Sequence, residues 1–301
     1  MKYAHILLAV ASEVWAIAPE KLDQIVAFLV LQAEGEKLPR AEVEARISKQ
    51  REQEIARAEG QVAVLPLRGV IANRMNMMSD ISGGTSSEGF GRMFDAAMAD
   101  DAVKAIIIDV DSPGGVVSGT DELSAKIYAA RSNGIAGRKP IVAHVNSLAA
   151  SAAYWIATAA DEVILNPSAE VGSIGVMMVH DDVSGALEKM GVKKTLIAAG
   201  KFKGEGAPYF PLSEEALAHR QARADAYYDQ FVRAVARNMN VSHATVREGF
   251  GQGRTVMAQA AVSEGMARSI GTLEETIARF SRAAPRRTAT QRERRALADF
   301  S

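Results

Sequence analysis

The chain has no cysteine among its 301 residues, which excludes disulfides, thiol catalysis and cysteine-ligated zinc. Histidine is sparse too. The five histidines, at 5, 144, 180, 219 and 243, form no HxxxH-type pair, so neither a metal site nor a cofactor is expected. The formal net charge is only −1, too small for bulk electrostatic attraction to nucleic acid or to a membrane. No apolar run reaches the roughly 18 residues of a membrane-spanning helix, so no membrane anchor is expected. The opening "MKYAHILLAVASEVWAIA" has the lysine, apolar run and A-x-A-like end of a secretory leader. Glu13 and Trp15 interrupt that run, however, and a second amphipathic pattern follows at once. A cytoplasmic protein is expected.

What is present is ordinary globular material: 48% hydrophobic and 24% charged residues, in a chain long enough to bury a sizeable core. Residues 1–60 read as a helical extension. Pro19 opens an amphipathic pattern, and "LPRAEVEARISKQREQEIARAEG" reads as a charged helix ending at Gly60. This extension is expected to be dispensable for folding of the rest. From 61 to 282 short β-branched runs (61–71, 103–112, 139–147, 161–167 and 172–183) alternate with helical segments at about 86–100, 117–133 and 150–160. That alternation predicts an α/β domain with buried strands. A long helix is predicted over 213–238, capped by Ser213, with Leu217, Ala224, Tyr228, Phe231 and Val235 as its apolar stripe. Residues 283–301, rich in arginine, read as a basic disordered tail.

Two stretches could carry chemistry. "DSPGGVVSG" (111–119) follows a strand and precedes a helix, and Pro113-Gly114-Gly115 offers backbone N–H groups without side chains. An oxyanion hole needs this, and so does any tight turn. In "NSLAASAAYWIATAADEVILNPSAEVGSIGV" (146–176) the lone hydroxyl Ser151 stands among alanines at the mouth of an apolar helix. Such a serine is either a helix cap or a nucleophile backed by the helix dipole. A nucleophile needs a base. His144 lies in a predicted buried strand, where a core role is the simpler reading, and His180 ends the next run. Lys201 and Lys203 in "AAGKFKGEGAPYFP" share a face of an extended chain. A lysine serves as a base only where desolvation or neighbouring charge favours its neutral form.

"DSPGG", the 146–176 stretch, "GKFKGEGAP" and "GRTVMAQAAVSEGMARSIGTLEE" stand in an order that resembles the signal peptide peptidase A-like serine peptidases, family S49 of the ClpP/crotonase superfamily. The similarity covers about 62–280. It implies a ClpP/crotonase-like fold of repeated β-β-α units and a Ser/Lys dyad. On that pattern Ser151 matches the nucleophile and Lys203, rather than Lys201, the base. Ser173 matches a serine that positions the lysine, and the backbone N–H groups of Gly114, Gly115 and Ala152 match the oxyanion donors. The chain departs from the pattern in having Ala152-Ala153 where many members have two glycines, which still leaves an N–H at that position.

The N-terminal "VWAIAPEKLDQIVAFLVLQ" resembles the minor capsid protein C-like peptidases of tailed phages and prophages. That likeness implies a serine endopeptidase acting on capsid scaffold or coat proteins, with the dyad shared between protomers of a homo-oligomer. The competing expectations are a signal peptide peptidase-like cytoplasmic protease and a catalytically silent capsid component. A ClpP-like triad with His180 as base and a crotonase-type acyl-CoA enzyme complete the alternatives.

Overall fold

The computed structural model describes residues 14–18, 22, 57–59, 61–74 and 84–282. Its strands in chain order are β1 (Trp15–Ile17), β2 (Arg57–Glu59), β3 (Val62–Ala72), β4 (Gly84–Ser86), β5 (Ala105–Val116), β6 (Ile141–Ala150), β7 (Glu162–Leu165), β8 (Glu170–Gly172), β9 (Thr255–Met257) and β10 (Ser269–Ile270). The helices are α1 (Ser87–Ala99), α2 (Thr120–Ala130), α3 (Ala152–Ala157), α4 (Ser184–Lys189), α5 (Glu214–Met239), α6 (His243–Glu248), α7 (Ala258–Ser263) and α8 (Leu273–Arg282). One sheet runs β10-β7-β6-β5-β3-β2 and is parallel except where β2 pairs β3; β1 and β9 add further antiparallel edges. A mostly parallel sheet with flanking helices is the α/β architecture expected of a ClpP/crotonase-like fold.

The parallel strands are apolar on both faces because both faces are covered. On one face Phe90, Phe94, Leu123, Ile127, Trp155 and Phe231 pack into the main core. On the other, Leu273, Ile277 and Phe280 of α8 pack over Val62, Ile107, Val142 and Ile164. Halfway along, the sheet bends. Register shifts occur between Arg68 and Val70 and between Val110 and Ser112, and Ser112 Oγ donates to Gly69 O at 2.6 Å across the bend. Beyond it the strand ends 70–72, 114–116, 148–150 and 170–172 form a short second tier, to which β1, β4 and β9 add.

Several expectations from the sequence are revised. The run 172–183 forms no continuous strand: after Gly172 only Met177 bridges, to Trp15. Conversely, β5 continues as strand through Pro113-Gly114-Gly115, where the sequence reads as a turn. Pairing on both sides explains this, with Ile71 beside Gly115 on one edge and Ala16 on the other. Within 1–60, the described segments at 15–17 and 57–59 are strands, and both join the sheet. Sheet pairing therefore crosses the division expected at 60/61. The remaining helical readings of 1–60, and the tail 283–301, lie outside the described residues.

The predicted long helix is present as α5, with Ser213 Oγ accepting from Ala216 N at 3.2 Å. Its apolar stripe is only half used. Phe231 and Val235 are buried, while Leu217 is 57% exposed.

A buried polar line braces the strands below the bend. Arg68 pairs with the buried carboxylate of Asp109, which also accepts from Asn146 Nδ2, and Asn146 Oδ1 accepts from Asn166 Nδ2 at 3.0 Å. Arg68→Met strips a charge partner from a carboxylate that is only 4% exposed. Because Arg68 is 39% exposed and Asn146 still donates to Asp109, the expected cost is about 1–2 kcal/mol in urea unfolding. Arg92→Met, which breaks an exposed pair with Glu88, is expected to cost less than about 0.5 kcal/mol.

Candidate active site

Ser151 and Ser173 leave the sheet side by side. Ala150 and Gly172 are register partners in β6 and β8, and each is followed by its serine. Both serines have a positive φ, 56° and 53°. Serine rarely adopts this conformation, and strain of this kind persists only where surrounding structure imposes it. Here the backbone is pinned. Ser151 N donates to Gly172 O at 2.7 Å, and Ser173 N donates to Arg254 O at 2.8 Å.

The turn at Ser151 starts α3 at Ala152. Ser151 is 1% exposed, and its Oγ has no hydrogen-bond partner among the described residues. It therefore does not cap the helix, and the capping reading of Ser151 fails. A Cβ built on Gly114 would lie 3.0 Å from Ser151 Cβ and collide with Ala16 O; on Gly115 it would collide with Ile71 O. Glycine at both places is thus a requirement of close approach. Gly114, at φ 101°, directs its N–H to Ser112 Oγ at 3.2 Å. The geometry places the predicted nucleophile, the glycine pair, the N-terminus of α3 and Ser173 together.

Lys203 is not brought to Ser151 within one chain. It lies in an exposed turn, its N–H donating to Gly200 O at 3.1 Å, and it makes no hydrogen bond to Ser151 Oγ. Lys201 is engaged elsewhere, pairing with Glu215 at 3.2 Å and lying over the Phe202 ring. His180 is half-buried, and its Nε2 has no partner among the described residues. Asp182, near it, is held below the usual carboxylate range mainly by the Ser184 hydroxyl and backbone amide.

His144 is a core residue of β6, fully buried. Thr276 Oγ1 donates to Thr272 O at 2.9 Å, so at its 3.3 Å contact it is left to accept from His144 Nδ1–H. Burial lowers the His144 pKa from 6.5 against the opposing pull of Asp109. The fold therefore holds the neutral ring, while the unfolded chain takes up a proton as pH falls below 6.5. Stability from this group is full above that pH and is lost as pH drops further. Urea midpoints at pH 7.5 and pH 5 should show a larger drop for the wild type than for His144→Asn.

Tyr154, next to the site, is also excluded as a base. Burial raises its pKa, and its hydroxyl donates to Met266 O at 2.8 Å.

Behind Ser151, α3 is anchored by residues that carry no sequence signal. Arg131 closes its C-terminal end, with Nε donating to Ala159 O at 2.8 Å and Nη2 to Thr158 O at 2.5 Å. Its Nη1 reaches Asn238 O in α5 at 2.9 Å, and Asn238 Nδ2 returns to Thr158 Oγ1 at 3.1 Å. Trp155 stacks on Phe231 with centroids 4.6 Å apart. Together these contacts fix the short helix whose first turn adjoins Ser151.

The sequence profile described as peptidase family S49 matches residues 135–285. Among curated relatives, head-tail preconnector protein GP5 of Enterobacteria phage P21 is 36% identical over 175 residues, which are 58% of this chain and 34% of that protein. Capsid assembly protease C of Escherichia phage lambda is 35% identical over 175 residues, 58% of this chain and 39% of the relative. A putative signal peptide peptidase SppA of Enterococcus faecium is 31% identical over 178 residues, 59% of this chain and 50% of the relative. The chain thus covers well under two thirds of each of these proteins. No helix among the described residues is long and apolar enough to cross a membrane.

Proposed function

The chain belongs to peptidase family S49, and on that premise we propose that it is a serine endopeptidase whose nucleophile is Ser151. The observation that carries the proposal is the strained, buried and unbonded Ser151 hydroxyl beside Gly114 and the start of α3. Ser151 Oγ attacks a peptide carbonyl, and the resulting oxyanion is met by backbone N–H groups at Gly114 or Gly115 and at Ala152. The proton goes to the Lys203 amine, which Ser173 orients. Lys203 then returns the proton to the leaving amine, and water hydrolyses the acyl-enzyme. Lys203 lies in an exposed turn and Ser151 Oγ has no partner among the described residues, which supports assigning the lysine to a neighbouring copy in a homo-oligomer. The proposed division keeps a peptidase core over 61–282 and a basic tail, with strands β1 and β2 of the N-terminal extension joined to the core sheet.

The substrates we assign are scaffold or coat proteins of an assembling capsid, by analogy with the phage relatives named above. The test is labelling with a fluorophosphonate probe, followed by peptide mapping. Modification of Ser151 supports a serine peptidase. Turnover of an acyl-CoA without labelling would point to the crotonase-type alternative, and a chain that neither labels nor cleaves would be a structural component. His180, with its unpartnered Nε2, is the base of the competing triad reading. Loss of activity in His180→Ala with full activity in Lys203→Ala would install it.

A further inference from the structure

Strand β1 lies along Gly114–Val116, the strand end that passes beside Ser151. It pairs antiparallel with residues 114–116, placing Trp15 opposite Val116, Ala16 opposite Gly115 and Ile17 opposite Gly114. On its other edge Trp15 and Met177 exchange backbone hydrogen bonds of 3.1 and 3.0 Å. At its two ends Val117 N donates to Val14 O at 3.1 Å, and Ala18 N donates to Pro113 O at 2.9 Å. Alternation along an antiparallel ladder makes Ala16 and Gly115 the hydrogen-bonded pair between those two. The Gly115 amide therefore faces the Ala16 carbonyl. That same carbonyl is what a Cβ on Gly114 would strike, at a point 3.0 Å from Ser151 Cβ.

The side chains alternate as in a bound peptide. Val14 and Ala16 join the main core, while Trp15 and Ile17 fill a separate cluster with Leu22, Val70 and Val116, flanked by Met177. Main-chain pairing with alternate side chains in pockets is how a sheet edge takes an extended peptide. The Gly115 amide, one of the groups a substrate carbonyl would need, is already engaged by this chain's own backbone, and Ser151 is 1% exposed.

Resting on the peptidase reading above, we propose that residues 14–18 are a built-in ligand of the substrate cleft, closing Ser151 until they withdraw. The ligand class follows from the occupant. The cleft takes an extended apolar peptide with a small residue at the Ala16 position, where exposure is 0%, and bulky apolar residues on either side of it. A substrate competes with the strand for the same hydrogen bonds, so its apparent affinity is reduced by the fraction of molecules in which the strand is seated.

The full-length chain tests this. Ala16→Pro removes a ladder donor from the strand, and Trp15→Ser/Ile17→Ser removes its anchoring side chains. Neither change touches the nucleophile. Folding is checked by thermal unfolding, and the readout is the rate of fluorophosphonate labelling at Ser151. The expected result is labelling at least about tenfold faster in either folded variant than in the wild type. Added acetyl-Val-Trp-Ala-Ile-Ala-amide should slow the variants again. Equal or slower labelling of both folded variants would overturn the built-in ligand while leaving the peptidase reading intact. No labelling of any form would remove the nucleophile itself. Intact mass should stay unchanged on incubation, because a chain newly beginning at Ile17 would make the strand a substrate instead of a plug.

Discussion

Ser151→Ala is expected to lower peptide hydrolysis by at least about 10⁴-fold while raising, not lowering, the stability of the fold. The first effect follows from loss of the attacking oxygen, which no neighbouring hydroxyl replaces: Ser112 Oγ is committed to Gly69 O at 2.6 Å. The second follows from the state of the hydroxyl. It is buried without a partner among the described residues, and an unsatisfied buried hydroxyl costs roughly 1–3 kcal/mol. Alanine keeps the Cβ, fills nearly the same space and inherits the same backbone at φ 56°. Strain is therefore unchanged, and the desolvation penalty disappears. Urea unfolding of the variant should show a midpoint shift equivalent to about 1 kcal/mol of added stability. A destabilised Ser151→Ala would mean that the hydroxyl makes a hydrogen bond in solution and serves the fold rather than catalysis.

The lesson of the site lies in which of its parts local sequence can announce. Small residues around Ser151 and the 113–115 glycines are visible because close packing selects them by size. The φ of 56° and 53° at the two serines is not visible, since no serine propensity favours a positive φ and bonds to the distant Gly172 and Arg254 carbonyls help to hold it there. Pro113-Gly114-Gly115 reads as a turn by local propensity, yet strands on both sides supply the pairing that keeps it extended. Three residues, 15–17, are too few for periodicity to separate strand from helix, and the partner of β1 lies about a hundred residues downstream. Arg131 was invisible for a related reason: its Asn238 contact spans 107 residues. In contrast, β3, β6 and α5 were legible because runs of their length carry their own pattern.

An equal mixture of Ser151→Ala and Lys203→Ala, each inactive alone, is expected to recover about a quarter of wild-type activity when the two are co-assembled. The figure comes from random placement around a head-to-tail interface, where half of the serine sites are intact and half of those meet an intact lysine. The geometry motivates the experiment. Within one chain Ser151 Oγ has no partner among the described residues, and Lys203 stands in an exposed turn. Among the described residues, the stretch 190–217 that carries this lysine exposes several large apolar side chains: Ile197 is 93% exposed, Met190 66%, Leu217 57%, Phe202 49% and Leu196 47%. A second copy covering this region would bury those side chains. The same contact would bring the lysine of one copy to the serine of the next. Assembly would then switch on chemistry only where a chamber exists. Leu217, on the half of α5 that the core leaves unused, offers a second check. Ile197→Asp/Leu217→Asp should lower the assembly state in sedimentation and abolish activity together, with Ser151 and Lys203 both intact. Full activity from a sedimenting monomer, or no recovery in mixed assemblies of proven composition, would return both residues to one chain.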